Sequence, residues 1–212
     1  MRTLKLLSAL VALSLLASPA FAQIAGVPAG ARKVKLNDQI RANQIDWTSA
    51  APMEKIKGTA PGVKGDLSID PAKLEAMTGK FWFAVMDMKS GNTTRDRHLQ
   101  GSEWLNAEKN PNITFEIASV AVRKVDGDKA SVDATGSMEV NGVKKRITVP
   151  VTLSWKVAGE QTSRVAGDWV KIDTKFDLKL ADYKIAGKAG VVGSKVGESI
   201  AISATLYGHT VQ

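Results

Sequence analysis

The residues best suited to chemistry stand together between Thr93 and Pro111, where Arg95, Asp96, Arg97 and His98 occupy four consecutive positions. A histidine beside a carboxylate and two guanidiniums could act in general acid–base catalysis or gate a charged ligand. The rest of the chain restricts that choice. Cysteine is absent, which removes a thiolate nucleophile, cysteine-ligated zinc, iron–sulfur centres and covalently attached c-type haem. His98 and His209 are the two histidines, too few for a histidine-rich metal site, and any Ser-His-Asp triad would need one of them. No serine or paired carboxylate stands near His98 in a catalytic spacing, and no carboxylate pair is singled out for glycoside chemistry. The residues therefore assign no catalytic group, no metal site and no cofactor. A structural role for the same segment is the stronger reading. In it, Arg95 and Asp96 pair with backbone and with each other, Ser102 caps a short helix, and Trp104 with Leu105 plugs one end of a barrel.

Two further clusters carry charge or glycine. Lys144, Lys145 and Arg146 follow Asn141-Gly142, and at a hairpin tip they could attract a phosphate or pyrophosphate head. A solvated tip that discourages aggregation is the plainer alternative. Glycines at 187, 190, 193 and 197 lack the strand–loop–helix context and the Gly-Lys-Ser/Thr of a phosphate loop, so they read as a long hairpin connection.

The elements that must position these groups are strands. Residues 23–43 form a lead-in with one short strand, 44–48 a first clear strand and 63–69 part of a second pair. A short helix is expected from Ala72 to Met77, after Asp70-Pro71 and before Gly79. Residues 80–88 are apolar on both faces, as in a strand covered by a helix or a subunit interface, which leaves a homodimer open. Ile113, Phe115 and Ile117 alternate with polar residues, then the phase shifts to Val120 and Val122, as one β-bulge would produce. Asn141-Gly142 separates strands at 130–140 and 145–155, and further alternation runs through Phe176–Leu180 and Ile200–Leu206. Period-2 patterning over long stretches predicts an all-β fold. The expected architecture is an antiparallel barrel of about eight strands with one or two short helices. Alternation puts Phe83, Val85, Phe115, Ile117, Met138, Val140, Val151, Leu153, Phe176, Leu178 and Ile202 on the inner face, where an incompletely filled barrel could take a slender apolar ligand.

Residues 1–22 read as a signal peptide: Arg2 and Lys5 precede an apolar run, and Ala20-Phe21-Ala22 supplies a cleavage site after Ala22. One domain, 23–212, is expected to remain. Losing Arg2 and Lys5 lowers the formal charge from +8 to +6, spread without the dense clusters of a nucleic-acid binder. Such a charge favours transient contact with anionic membrane surfaces or anionic small molecules.

The central segment carries a family resemblance. Arg95-Asp96-Arg97-His98-Leu99, Trp104-Leu105 and Pro111-Asn112-Ile113-Thr114-Phe115 resemble the signature of the YceI-like, polyisoprenoid-binding periplasmic proteins. The likeness continues through Asn141-Gly142-Val143, Thr148-Val149-Pro150-Val151, Asp182-Tyr183 and the closing strand. It implies a lipocalin-like barrel that holds an isoprenoid or quinone-like lipid without catalysis, in a Gram-negative periplasm. Arg95, His98, Lys144 and Lys145 would then stand near the lipid's head group or gate its entry. Two rivals remain at this point: a lipid-free barrel acting through its loops in interaction or stress response, and an enzyme using the Arg95–His98 loop.

Overall fold

A computed structural model describes residues 23–211. The expected signal peptide at 1–22 lies outside the described residues. Ten strands form one antiparallel sheet: β1 (Arg32–Leu36), β2 (Gln44–Ala50), β3 (Lys55–Pro61), β4 (Lys64–Ile69), β5 (Thr78–Ala84), β6 (Asn112–Asp126), β7 (Lys129–Val140), β8 (Val143–Lys156), β9 (Trp169–Lys179) and β10 (Ser199–Val211). One α-helix, α1 (Thr93–Gln100), lies between β5 and β6.

Eight strands close a barrel in the order β1-β4-β5-β6-β7-β8-β9-β10, and β1 pairs with the end of β10, Leu36 opposite Gly208, to complete the ring. The β2–β3 hairpin extends the sheet along the first half of β10, with Trp47 opposite both Ile202 and Gly58. Closure removes the edges of the eight-stranded ring, and β3 remains as an outer strand held by β2 and by a bridge between Thr59 and Lys89.

Local chemistry explains most of the boundaries. Asn141 and Gly142 both adopt positive φ, at 50° and 71°, the backbone a two-residue hairpin needs. The phase change in β6 is a register shift between Ile117 and Ser119, and a second shift follows between Val122 and Lys124. The helix expected over 72–77 is a single 3₁₀ turn, Leu74–Ala76, which buries Leu74. The helix expected after Ser102 lies earlier instead: the Asn92 side chain accepts the Arg95 N–H at 3.0 Å and starts α1, while Ser102 is exposed. The strand expected over 80–88 stops at Ala84, and Val85–Asp87 form a 3₁₀ turn.

The two barrel ends differ. At one end the lead-in crosses the opening: Ile24 and Val27 are buried, and the Ala25 N–H donates to the Gly127 carbonyl at 2.8 Å. Trp155, Val170, Ile69 and Leu74 fill the space beneath, each no more than 2 % exposed. That end is shut. The other end is surrounded by α1, the β2–β3 turn and the long connection from Leu180 to Glu198.

Candidate functional site

The inward faces leave an apolar cavity of about 370 Å³ in the half of the barrel away from the packed end. Its wall takes Ile45 and Trp47 from β2, Phe81 and Phe83 from β5, and Ile113, Phe115 and Ile117 from β6. Met138 and Val140 come from β7, Val149, Val151 and Leu153 from β8, Phe176 and Leu178 from β9, and Ile200 and Ile202 from β10. Inward-facing side chains near the shut end, such as Val132 and Leu153, are 1 % exposed, whereas Phe115, Val151, Phe176, Leu178 and Ile202 keep part of their surface accessible. The barrel is packed at the bottom and hollow above.

Ten of the eleven side chains expected on the inner face lie on this wall. Val85 does not. It sits in the 3₁₀ turn, donates its N–H to the Pro111 carbonyl at 2.9 Å, and is buried in the core beside the barrel. The turn breaks the strand's alternation, so the phase that carried Phe83 inward no longer applies to Val85.

Ionisable groups on the wall are confined to Glu54, Arg95, His98 and Lys195 among the described residues, and all four belong to the segments around the open end. Arg95 leaves α1 toward the β2–β3 turn and pairs with Glu54, Nη2 to Oε1 at 2.8 Å. The side chains are 34 % and 40 % exposed, so the pair contributes about 0–1 kcal/mol and serves position more than stability. Asp96 does not pair with Arg95. Its Oδ1 accepts the Ser90 N–H at 2.7 Å and the Ser90 hydroxyl at 2.6 Å, which fixes the start of the helix against the preceding strand exit. His98 and Leu99, further along α1, reach the wall. Trp104 and Leu105 reach it too, and the Trp104 ring covers Gly187, where a Cβ would stand 2.5 Å from ring carbon Cζ2. The aromatic therefore roofs the open end against the long connection.

Lys144 and Lys145 are absent from the wall. Lys144 faces Glu139 across the hairpin at 3.6 Å, and Lys145 is exposed. The hairpin tip is instead held sideways, with Asn141 Nδ2 donating to the Tyr183 carbonyl at 3.3 Å. Burial pushes the Tyr183 phenol's pKa up, with the Asp182 charge adding to it, so the hydroxyl stays neutral. Lys195 and Glu54 were not legible as site residues: one lies in the glycine-rich connection, and the other becomes visible through its contact with a residue 41 positions away.

Two polar groups of the wall are satisfied by the protein, whereas the buried Trp47 Nε1–H finds no partner among the described residues. Ser49 Oγ accepts the Gly197 N–H at 2.9 Å, and the Thr174 hydroxyl donates to the Pro150 carbonyl at 2.8 Å. The cavity thus offers shape and apolar surface inside and charge at the mouth. Among the described residues, no three His, Asp or Glu side chains converge as metal ligands.

This geometry can be set beside known proteins. The sequence profile of the YceI-like domain matches residues 37–207. The chain belongs to the YceI-like family. A UPF0312 protein of Azotobacter vinelandii is 30 % identical over 145 residues, which are 68 % of this chain and 71 % of that protein. Protein YceI of Escherichia coli O6:H1 shows the same identity over the same shares. Among solved structures, Burkholderia cenocepacia BcnA superposes with a TM-score of 0.66 at 18 % identity, covering 81 % of this chain and 98 % of that one. A polyisoprenoid binding domain from Saccharophagus degradans superposes with a TM-score of 0.61 at 12 % identity, covering 84 % and 98 %. At those identities the likeness to the solved structures establishes the YceI-like barrel and not its contents.

Proposed function

We propose that this YceI-like protein is a non-catalytic binding protein of the periplasm, which holds one isoprenoid or quinone-like lipid in its barrel for transport, storage or sequestration. The observation that carries the reading is the division of the cavity, among the described residues, into a shut, predominantly apolar interior and a mouth bearing Glu54, Arg95, His98 and Lys195. A linear apolar tail gains roughly 25 cal/mol for each Å² it removes from water, and a polar head left at the mouth keeps its hydration. Arg95, His98 and Lys195 would face that head. The polyisoprenoid binding domain of Saccharophagus degradans has the same barrel, which favours an isoprenoid tail over other apolar chains. Residues 1–22, read as a signal peptide cleaved after Ala22, support the periplasm, where a lipid must be shielded from water between two membranes.

Trp47 and Trp104 lie on the wall, so a bound quinone ring or tail will report itself in tryptophan fluorescence. Titration with a long-tailed isoprenoid quinone is expected to quench saturably, and Leu178→Asp or Phe115→Asp to abolish the quench with circular dichroism unchanged. Undiminished quenching in both folded variants refutes the lumen as the site.

A further inference from the structure

Among the described residues three large apolar side chains are strongly exposed: Met53 at 76 %, Met86 at 57 % and Val157 at 47 %. Two of the three flank the mouth. Met53 precedes Glu54, whose carboxylate holds Arg95 of α1, and the Met53 N–H donates to the Ser194 carbonyl at 3.3 Å, next to Lys195. Met86 is tied to the far end of the same helix, where Gln100 Nε2 donates to the Met86 carbonyl at 2.9 Å. The two methionines therefore belong to one rim, joined through α1 and continuous with the cavity wall.

Charge follows the same rim. Residues 51–57, 86–100 and 184–198 hold eight Lys and Arg against four Asp and Glu. Two of those acids are spent internally, Glu54 on Arg95 and the buried Asp96 on Ser90. Lys55, Lys89, Arg97, Lys188 and Lys195 are exposed. At the shut end the loops 126–129 and 157–168 hold two basic residues against four acidic, of which Asp168 is buried against Arg32 and Asp126 pairs with Lys124, so no basic excess matches that of the rim. A molecule charged in this way turns its mouth toward a negative surface before contact.

We propose that the rim bearing Met53 and Met86 is a docking surface for an anionic phospholipid bilayer, which it meets mouth-down. Flexible methionine side chains enter the headgroup region while the lysines face lipid phosphates, and neither set binds deeply enough for permanent attachment. The purpose of docking, passage of a lipid between bilayer and barrel without crossing water, rests on the function proposed above; the docking itself does not.

The test is cosedimentation of the mature protein with vesicles of phosphatidylcholine alone and of phosphatidylcholine mixed with phosphatidylglycerol. Binding to the mixed vesicles alone is expected, released by raising the salt concentration as the Debye length contracts. Lys55→Ala with Lys188→Ala is expected to lower partitioning by about 25-fold, at about fivefold for each lysine. Met53→Asp with Met86→Asp is expected to abolish it, and Val157→Asp at the shut end to leave it unchanged. Both methionine replacements are on the surface, and quinone quenching in detergent should stay normal. Failure to bind the mixed vesicles, equal binding to neutral ones, or equal loss in Val157→Asp overturns the proposal. Vesicle binding without any quinone uptake overturns the reading of the lumen and leaves the docking surface standing.

Discussion

The ring of Phe115 lies across Gly136 on the neighbouring strand, so close that a Cβ at 136 would stand 2.8 Å from ring carbon Cζ. Gly136 holds an inward position in β7, between the inward Ala134 and Met138, yet carries no side chain. The aromatic can therefore lie flat against the wall instead of filling the lumen. Gly65 does the same for Phe81, whose Cδ1 would be 2.5 Å from a Cβ there. A large apolar wall and an open interior are thus compatible because glycines sit beneath the rings.

Gly136→Ala is expected to force the Phe115 ring inward and to crowd the Glu116 carbonyl, at about 1–3 kcal/mol of stability. Urea unfolding reads the cost, and quinone titration should show weaker uptake in the folded variant. Unchanged stability and unchanged uptake would show that the ring has room elsewhere.

The mouth makes a kinetic prediction. Glu54→Gln removes the charge that pairs with Arg95 while keeping an acceptor, and because the pair is partly exposed, stability should change by less than about 0.5 kcal/mol. Exchange of bound quinone, followed by stopped-flow quenching, should accelerate by up to about fivefold, the factor that 1 kcal/mol supplies. Exchange at the wild-type rate would exclude the pair from controlling passage through the mouth.

The shut end depends on Asp168, which is 7 % exposed. Its carboxylate accepts Trp155 Nε1–H at 3.0 Å and the Ala158 N–H at 2.8 Å, and pairs with Arg32 at 3.2 Å. Asp168→Ala strands three donors and is expected to cost about 3 kcal/mol. Asp168→Asn, which keeps an acceptor, should cost clearly less in the same urea unfolding experiment.

Ten of the eleven side chains expected on the inner face lie on the wall because a half-buried strand writes its facing direction every second residue, from Phe115 to Ile202. Val85 escaped because the backbone leaves the strand at Ala84, which no apolar pattern announces. The mouth was half legible. Arg95 and His98 stood out as a charged run, whereas Glu54 and Lys195 joined them through contacts among three loops far apart in sequence. Lys144 and Lys145 stand at the hairpin tip outside the cavity wall, Lys144 facing Glu139 and Lys145 opposite Met138 but exposed.

Acid should loosen the lead-in. Asp70 Oδ1 accepts the Gly30 and Ala72 N–H groups, each at 3.0 Å, and these bonds lower its pKa from the ordinary aspartate value. A lowered folded-state pKa stabilises the protein above the unfolded value of about 3.9, and that stability is lost as pH falls through the folded pKa. Asp70→Ala should cost about 1 kcal/mol at neutral pH and flatten the decline of melting temperature in this acid range. An unaltered pH slope would remove Asp70 from the explanation.

The hollow upper half of the barrel is tested most directly by native mass spectrometry of the protein purified without detergent, followed by solvent extraction of what it carries. The expected result is one bound molecule per chain, identified after extraction as an isoprenoid or isoprenoid quinone, and missing from folded Leu178→Asp protein. Protein that is empty under these gentle conditions and takes up no isoprenoid quinone afterwards would contradict the lipid-holding barrel.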